Sequence, residues 1–446
     1  MYLKEIHLEN IKTFKDLRFD FTINGKPRLC TGFLGPNGMG KSVLLDCITA
    51  SLAGESAMKS ALPYPRDWVR SGEDYGLIEA KIDVSDEEEA DIPSELLLRY
   101  FVTGKKGADI NGRFFQGYGI YGDYNNEGNK FFDKVAGYDS KGFLICGYGP
   151  FRRPPRGEGK FKVQSKSETN PRSSRITTLF DEGSPVSEVE SWLINLEYRS
   201  LKEGKEKKDV FNAALNLLHN ILPNVTFKEI NSDGQVIFNT EDGLESPLSE
   251  LSDGYRSVIA WSANLVQHMF DAHVHLPDKT QGTGVVVIDE IDVHLHPGAQ
   301  RKVITHLREL FPNIQFILSS HSPFVAQSLK QNEIFRLDRD KEQKQTVIRS
   351  VEVSFEGWRV DQILTTDAFG LETTRDIKTE NELIEYEKLI KKIELNRDVS
   401  TDDKQRASAL KEKIFSKIPF SGENQRIREL EKQVSGLLAA LEKNKK

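Results

Sequence analysis

The chain has 446 residues, of which 38% are hydrophobic and 29% charged, and its net charge is −7. That balance belongs to a folded protein with room for two or three domains, and it excludes a general polyanion binder; contact with nucleic acid would need a local basic patch. The three cysteines, Cys30, Cys47 and Cys146, lie far apart without a C-x-x-C pair, which argues against a disulfide framework or zinc ribbon and for a reducing cytosol.

The opening "MYLKEIHLEN" is charged and alternating, unlike a signal peptide, and apolar runs such as "GVVVI" are too short to span a membrane. The expected location is cytoplasmic, with no membrane contact. "YLKEIHLENIKTFKDLRFDF" alternates apolar and polar residues and predicts two strands; "RLCTGFLG" predicts a third. "KSVLLDCITASLAG" predicts a helix stopped by Gly54. Residues 76–102 read as strands around the acidic turn "SDEEEADIP". Residues 103–150, rich in Gly, Tyr, Asn and Asp, read as short strands and turns without helix. A basic loop is expected over 151–175, helices over 186–220 and a hairpin near 224–240. Two buried-type strands, "GVVVID" and "QFILSS", flank a helix through "AQRKVITHLREL". From about 376 the chain is helical and highly charged.

Three motifs carry chemistry. "GPNGMGKS", comprising Gly35, Pro36, Asn37, Gly38, Met39, Gly40, Lys41 and Ser42, is a full G-x-x-x-x-G-K-[ST] match between a strand and a helix. Glycines let backbone N–H groups curl around phosphate oxygens, and the helix directs its positive end at the anion. Lys41 is expected to reach the β- and γ-phosphates of ATP, and the Ser42 hydroxyl to ligate Mg²⁺. In "GVVVIDEIDVHLHP", Asp289 and Glu290 end a buried strand, where open α/β sheets place ligands. Asp289 is expected to hold Mg²⁺ and Glu290 to accept a proton from the attacking water. In "FILSSHSP", His321 ends the next such strand and is expected to sense the γ-phosphate. His294 and His296 invite a zinc reading with His321, but no cysteine or further ligand spacing supports it.

A fourth cluster, "LSDGYRS" (251–257), opens the helix "YRSVIAWSANLVQHM" with Ser252, Asp253 and Gly254. Ser252 or Asp253 suits a helix N-cap, and the same geometry aims free N–H groups outward at a positive helix end.

In order, these motifs resemble ABC-type ATPase heads of the branch shared by SMC-like, RecF-like and OLD-like proteins. The resemblance implies an α/β fold: a mixed, largely parallel core sheet with N-terminal antiparallel strands. A β-rich and helical insertion over about 103–245 would sit within a head spanning 1–350, followed by a helical C-terminal arm over 351–446. It maps Ser252 and Gly254 onto signature positions that contact the phosphate held by a partner head, and "VHLHP" onto the D-loop. Asp253, Tyr255 and His296 depart from the usual residues, and the Q-loop glutamine has no clear counterpart. "YGPFRR" is its regional equivalent; there Arg152 and Arg153 are open to three readings: nucleotide contact, nucleic-acid contact, or a solvated basic edge.

With "MYLKEIHLENIKTF", "GYGPFRRP", "SWLINLEY" and "GWRVDQILTTDAFGLETTRD", the chain is similar to ATPase subunits of bacterial anti-phage systems, the Septu (PtuA) family and its retron-associated relatives. That implies head-to-tail homodimers or higher oligomers, a PtuB-like HNH nuclease subunit as partner, and nucleic acid contacted through the complex. No Toprim-like pattern follows "RLDRD", so the chain itself is not expected to be a nuclease. A DNA-repair ATPase and a nucleotide-gated scaffold with little turnover stay open as alternatives. Ile427, Leu430, Val434, Leu437 and Leu441 form an a/d stripe, suited either to oligomerisation or to packing on its own domain.

Overall fold

A computed structural model describes residues 1–62, 65, 67–84, 93–104, 108–110, 113–115, 117–135, 143–152, 171–184, 186, 189–202, 205–221, 225–240, 243–394 and 400–417. The a/d stripe at 427–441 and Arg153 lie outside the described residues. The chain divides into two compact units, Met1–Gly370 and Leu371–Lys446.

The first unit is built on a six-stranded sheet in the spatial order Ile145–Tyr148, Gly284–Ile288, Ile314–Ser319, Cys30–Leu34, Ile334–Asp340 and Gln345–Ser350. The first five strands run parallel and the last is antiparallel. The run "GVVVI" becomes a central strand because every residue is apolar or Gly, so both faces can be covered. Val285 and Val287 enter one core, while Val286 and Ile288 enter the other. The helix Lys41–Ala61 fills the first core and the helix Asp253–Ala272 the second.

The N-terminal strands form the expected antiparallel sheet, ordered Gly119–Gly122, Glu95–Thr103, Tyr75–Asp83, Tyr2–Ile11 and Phe14–Asp20. It closes over the helix Lys41–Ala61. Buried amides join the two sheets: Gln315 accepts from the Leu3 N–H (2.7 Å) and donates to the carbonyls of Leu3 (2.9 Å) and Arg28 (3.1 Å), and Gln345 accepts from the N–H groups of Lys15 (3.3 Å) and Asp16 (3.1 Å). A polar group with all its partners made is tolerated at full burial.

Three expectations change. Gly54 does not stop its helix; at φ 82° it kinks the chain, and helix resumes to Ala61. Residues 103–150 include a helix, Glu127–Val135, entered through an Asn126 side chain that accepts from the Asn129 N–H. The predicted helix through "AQRKVITHLREL" is interrupted, with helical spans Pro297–Gln300 and Val303–Leu310. The second unit contains two helices, Ile377–Glu394 and Thr401–Lys417, bridged by Lys392–Asp403 (2.7 Å) and Lys413–Glu382 (3.0 Å). No described helix is long and apolar enough to cross a membrane.

Candidate active site

The strand Cys30–Leu34 is wholly buried and delivers the chain to Gly35, at φ 133°. A Cβ there would lie 2.7 Å from the Leu337 carbonyl oxygen, and one on Gly40 (φ 90°) 2.6 Å from Thr13 Oγ1. Glycine at these two positions is therefore required by close approach as well as by backbone conformation. Lys41 opens the helix at only 6% exposure, and its Nζ donates to the carbonyls of Gly35 (2.9 Å) and Pro36 (3.1 Å). Burial pushes its pKa down, while Asp289, Glu290 and Asp292 pull it back up. Ser42 is exposed, and no carboxylate stands in the helix's first turn to compete for an anion.

Two strands along the sheet, Asp289 is buried and accepts a hydrogen bond from Ser319 Oγ. Ser319 Oγ in turn accepts from the Glu290 N–H (2.8 Å). Glu290 sits at φ 48°, a left-handed conformation unusual for a non-glycine residue. Burial raises its pKa, and the nearby Asp289 and Asp292 add to the effect. Between these strands the strand Ile314–Ser319 leads into Ser320 and His321. Asp292 accepts from Ser320 Oγ (2.6 Å) and from the His321 N–H (3.3 Å). Burial, with the Lys41 charge beside it, lowers the His321 pKa and favours the neutral imidazole. Gln300 ties the following loops together, donating to the carbonyls of Asp292 and Leu295 and accepting from Ser322 Oγ (2.7 Å). The P-loop, the carboxylate pair and His321 thus occupy the carboxyl ends of three adjacent parallel strands.

Ser252 is the N-cap of the helix Asp253–Ala272, its Oγ accepting from the Tyr255 N–H at 3.5 Å. The Asp253 side chain is 94% exposed, in the first turn where a carboxylate suits the helix dipole. A Cβ on Gly254 would lie 3.1 Å from the His294 carbonyl oxygen, so the "LSDGYRS" turn and the "VHLHP" segment adjoin within one chain. His296 caps the short helix Pro297–Gln300, its Nδ1 accepting from the Gly298 N–H at 3.3 Å. Among the described residues no three His, Cys, Asp or Glu side chains group as a metal site.

Arg152 is a correction. It is neither a solvated edge nor a surface for ligand: at 1% exposure its guanidinium donates to the carbonyls of Asp289 and Glu290, each at 2.9 Å. Sequence reasoning also missed the Ser319, Ser320 and Gln300 side chains, each bonded to the loops around the carboxylates. The doublet "SS" before His321 was the local signal for the two serines; Gln300 had none.

A glycine loop holding a buried lysine, facing a carboxylate pair across a parallel sheet, defines the class as a P-loop nucleotide-binding domain. Residues 30–326 match the family described as "AAA domain, putative AbiEii toxin, Type IV TA system", more than half of the chain, and the chain belongs to that family. The Septu protein PtuA of Bacillus mycoides (strain KBAB4) is 27% identical over 385 residues, covering 84% of this chain and 45% of that protein. The "Retron Ec83 probable ATPase" of Escherichia coli is 23% identical over 429 residues, covering 80% and 75%. The chain spans about half the length of the curated PtuA relatives it matches. A solved SMC head, bound to the C-winged helix domain of ScpA, shares 16% identity at a TM-score of 0.48, covering 79% of this chain and 98% of that one.

Proposed function

We propose that the chain binds and hydrolyses Mg·ATP between two heads arranged head to tail, and that its nucleotide state controls a partner nuclease in anti-phage defence. The observation that carries the ATP reading is the placement of Lys41. Its ammonium rests on P-loop carbonyls within electrostatic reach of Asp289, Glu290 and Asp292. The residues fit a nucleoside triphosphate: a Cβ at Gly35 or Gly40 would collide with its neighbours, and the loop amides precede a helix start free of acidic side chains.

Ser42 and Asp289 would hold the magnesium ion, which when bound offsets phosphate charge. Lys41 exchanges loop carbonyls for phosphate oxygens. Glu290, with its backbone set by Ser319, takes a proton from the water that attacks the γ-phosphorus as the bond to the ADP oxygen breaks. His321 donates an imidazole N–H to a γ-phosphate oxygen, and Ser252 and Gly254 close the partner's site. Phosphate release and gel filtration with Mg·ATP test the reading. Glu290→Gln should bind ATP, slow turnover to a small but measurable residual rate and accumulate a closed dimer; wild-type turnover in that variant would remove Glu290 as the base.

The partner reading is supported by the PtuA and retron ATPase relatives. Purification of the chain with its native neighbours should bring down an HNH-type nuclease. Recovery of none, with strong salt-sensitive DNA binding by the chain alone, would favour a DNA-repair ATPase instead.

A further inference from the structure

Arg152 stands between two functional elements that the sequence separates widely. Its guanidinium fork holds the carbonyls of Asp289 and Glu290, the two peptide groups that follow the Gly284–Ile288 strand. Its own carbonyl accepts from Ser257 Oγ (2.7 Å), a buried hydroxyl on the helix that Ser252 caps. Its guanidinium also lies 5.9 Å from the ring of Trp261, one turn further along that helix. Arg152 Nε has no partner among the described residues, so the side chain's polar contacts are concentrated on the two carboxylate-bearing residues.

A burial this deep is costly for a guanidinium, and among the described residues no carboxylate is bonded to it in return. What the fork does accomplish is geometric. Glu290 sits at φ 48°, in the left-handed region that non-glycine residues rarely adopt. Two fixed donors on consecutive carbonyls, with Ser319 on the Glu290 N–H, hold that peptide from both sides.

We infer that Arg152 is a positioning residue: it sets the backbone that aims the Glu290 carboxylate and couples that backbone to the signature helix through Ser257 and Trp261. The inference rests on the ATPase reading above and extends it. Movement of the helix start, where Ser252 and Gly254 would meet a partner's nucleotide, is then transmitted to the same chain's Glu290. A second contact runs alongside, since Gly254 packs against the His294 carbonyl.

The experiment is a double-mutant cycle on the full chain, read as ATP turnover, with nucleotide affinity and thermal melting followed in parallel. Arg152→Met should lower kcat by about tenfold or more while KM for ATP stays within about threefold. Arg152→Lys, able to reach one carbonyl, should recover part of the loss. In a Glu290→Gln background Arg152→Met should cost nothing further, because both changes act at one group. A wild-type kcat for Arg152→Met, or equal losses in both backgrounds, overturns the inference. If Arg152→Met does not fold, Ser257→Ala serves in the same cycle, with a severalfold loss expected only when Glu290 is intact. The underlying reading fails separately: Glu290→Gln at the wild-type rate sinks both, whereas a Glu290→Gln slowed to its residual rate beside a fully active Arg152→Met sinks the coupling alone.

Discussion

Replacing Ser319 by alanine removes the donor to the Asp289 carboxylate and the acceptor of the Glu290 amide in one step. Leaving a buried amide and carboxylate unpaired costs about 1–3 kcal/mol and frees the two residues whose placement matters most. Ser319→Ala should lower ATP turnover at least tenfold with nucleotide binding retained; phosphate release and a fluorescent-nucleotide titration separate the two. Gly35→Ala acts oppositely. Its methyl would press on the Leu337 carbonyl from a strained φ, deforming the phosphate cradle, so nucleotide binding itself should be lost in the same titration. The residues legible beforehand were those whose chemistry is local: a P-loop needs its glycines, lysine and serine in one short run. Ser319 and Arg152 were not legible as partners of Glu290. Their partners lie 29 and 138 residues away in sequence, and nothing in "GPFRR" reveals that one arginine is buried.

The helix Asp253–Ala272 carries a pH response of its own. Nε2 of His268, and of His273 just past the helix end, are buried with no hydrogen-bond partner among the described residues. Burial lowers both pKa values, that of His273 from 6.5 to about 4, with His275, the chain's amino group and Arg175 adding to the shift and a Thr283 backbone bond opposing it. The unfolded chain therefore takes up a proton near pH 6.5 that folded His273 refuses until about pH 4. This contribution to stability is complete above the first value and declines as pH falls towards the second. His273→Gln should flatten the decline in urea-unfolding midpoints between pH 7 and 5; an unchanged slope would assign the response to other groups. At this scale the parallel strands and the signature helix were readable from β-branched runs and capping residues. The helix Glu127–Val135 was not, because its Gly- and Asn-rich approach carries the composition of a turn.

For the whole molecule, the proposed arrangement places half of each site on another copy. Ser252→Arg should bind nucleotide but not close around it, and Lys41→Met should leave a sound signature over an empty P-loop. Each alone should be inactive. Mixed in equal amounts, they should form heterodimers with one complete site, restoring roughly a quarter of wild-type turnover if dimers exchange freely. No recovery with demonstrated exchange would mean that the site is built within one chain. The Gln315 amide, bonded to three backbone groups across two sheets, has a mechanical meaning beyond packing. The N-terminal sheet and the six-stranded sheet cannot part without exposing all three groups, which favours their opening together as one cooperative unit. Their slowest amides should exchange with solvent at one common free energy, and Gln315→Leu should split that value into two.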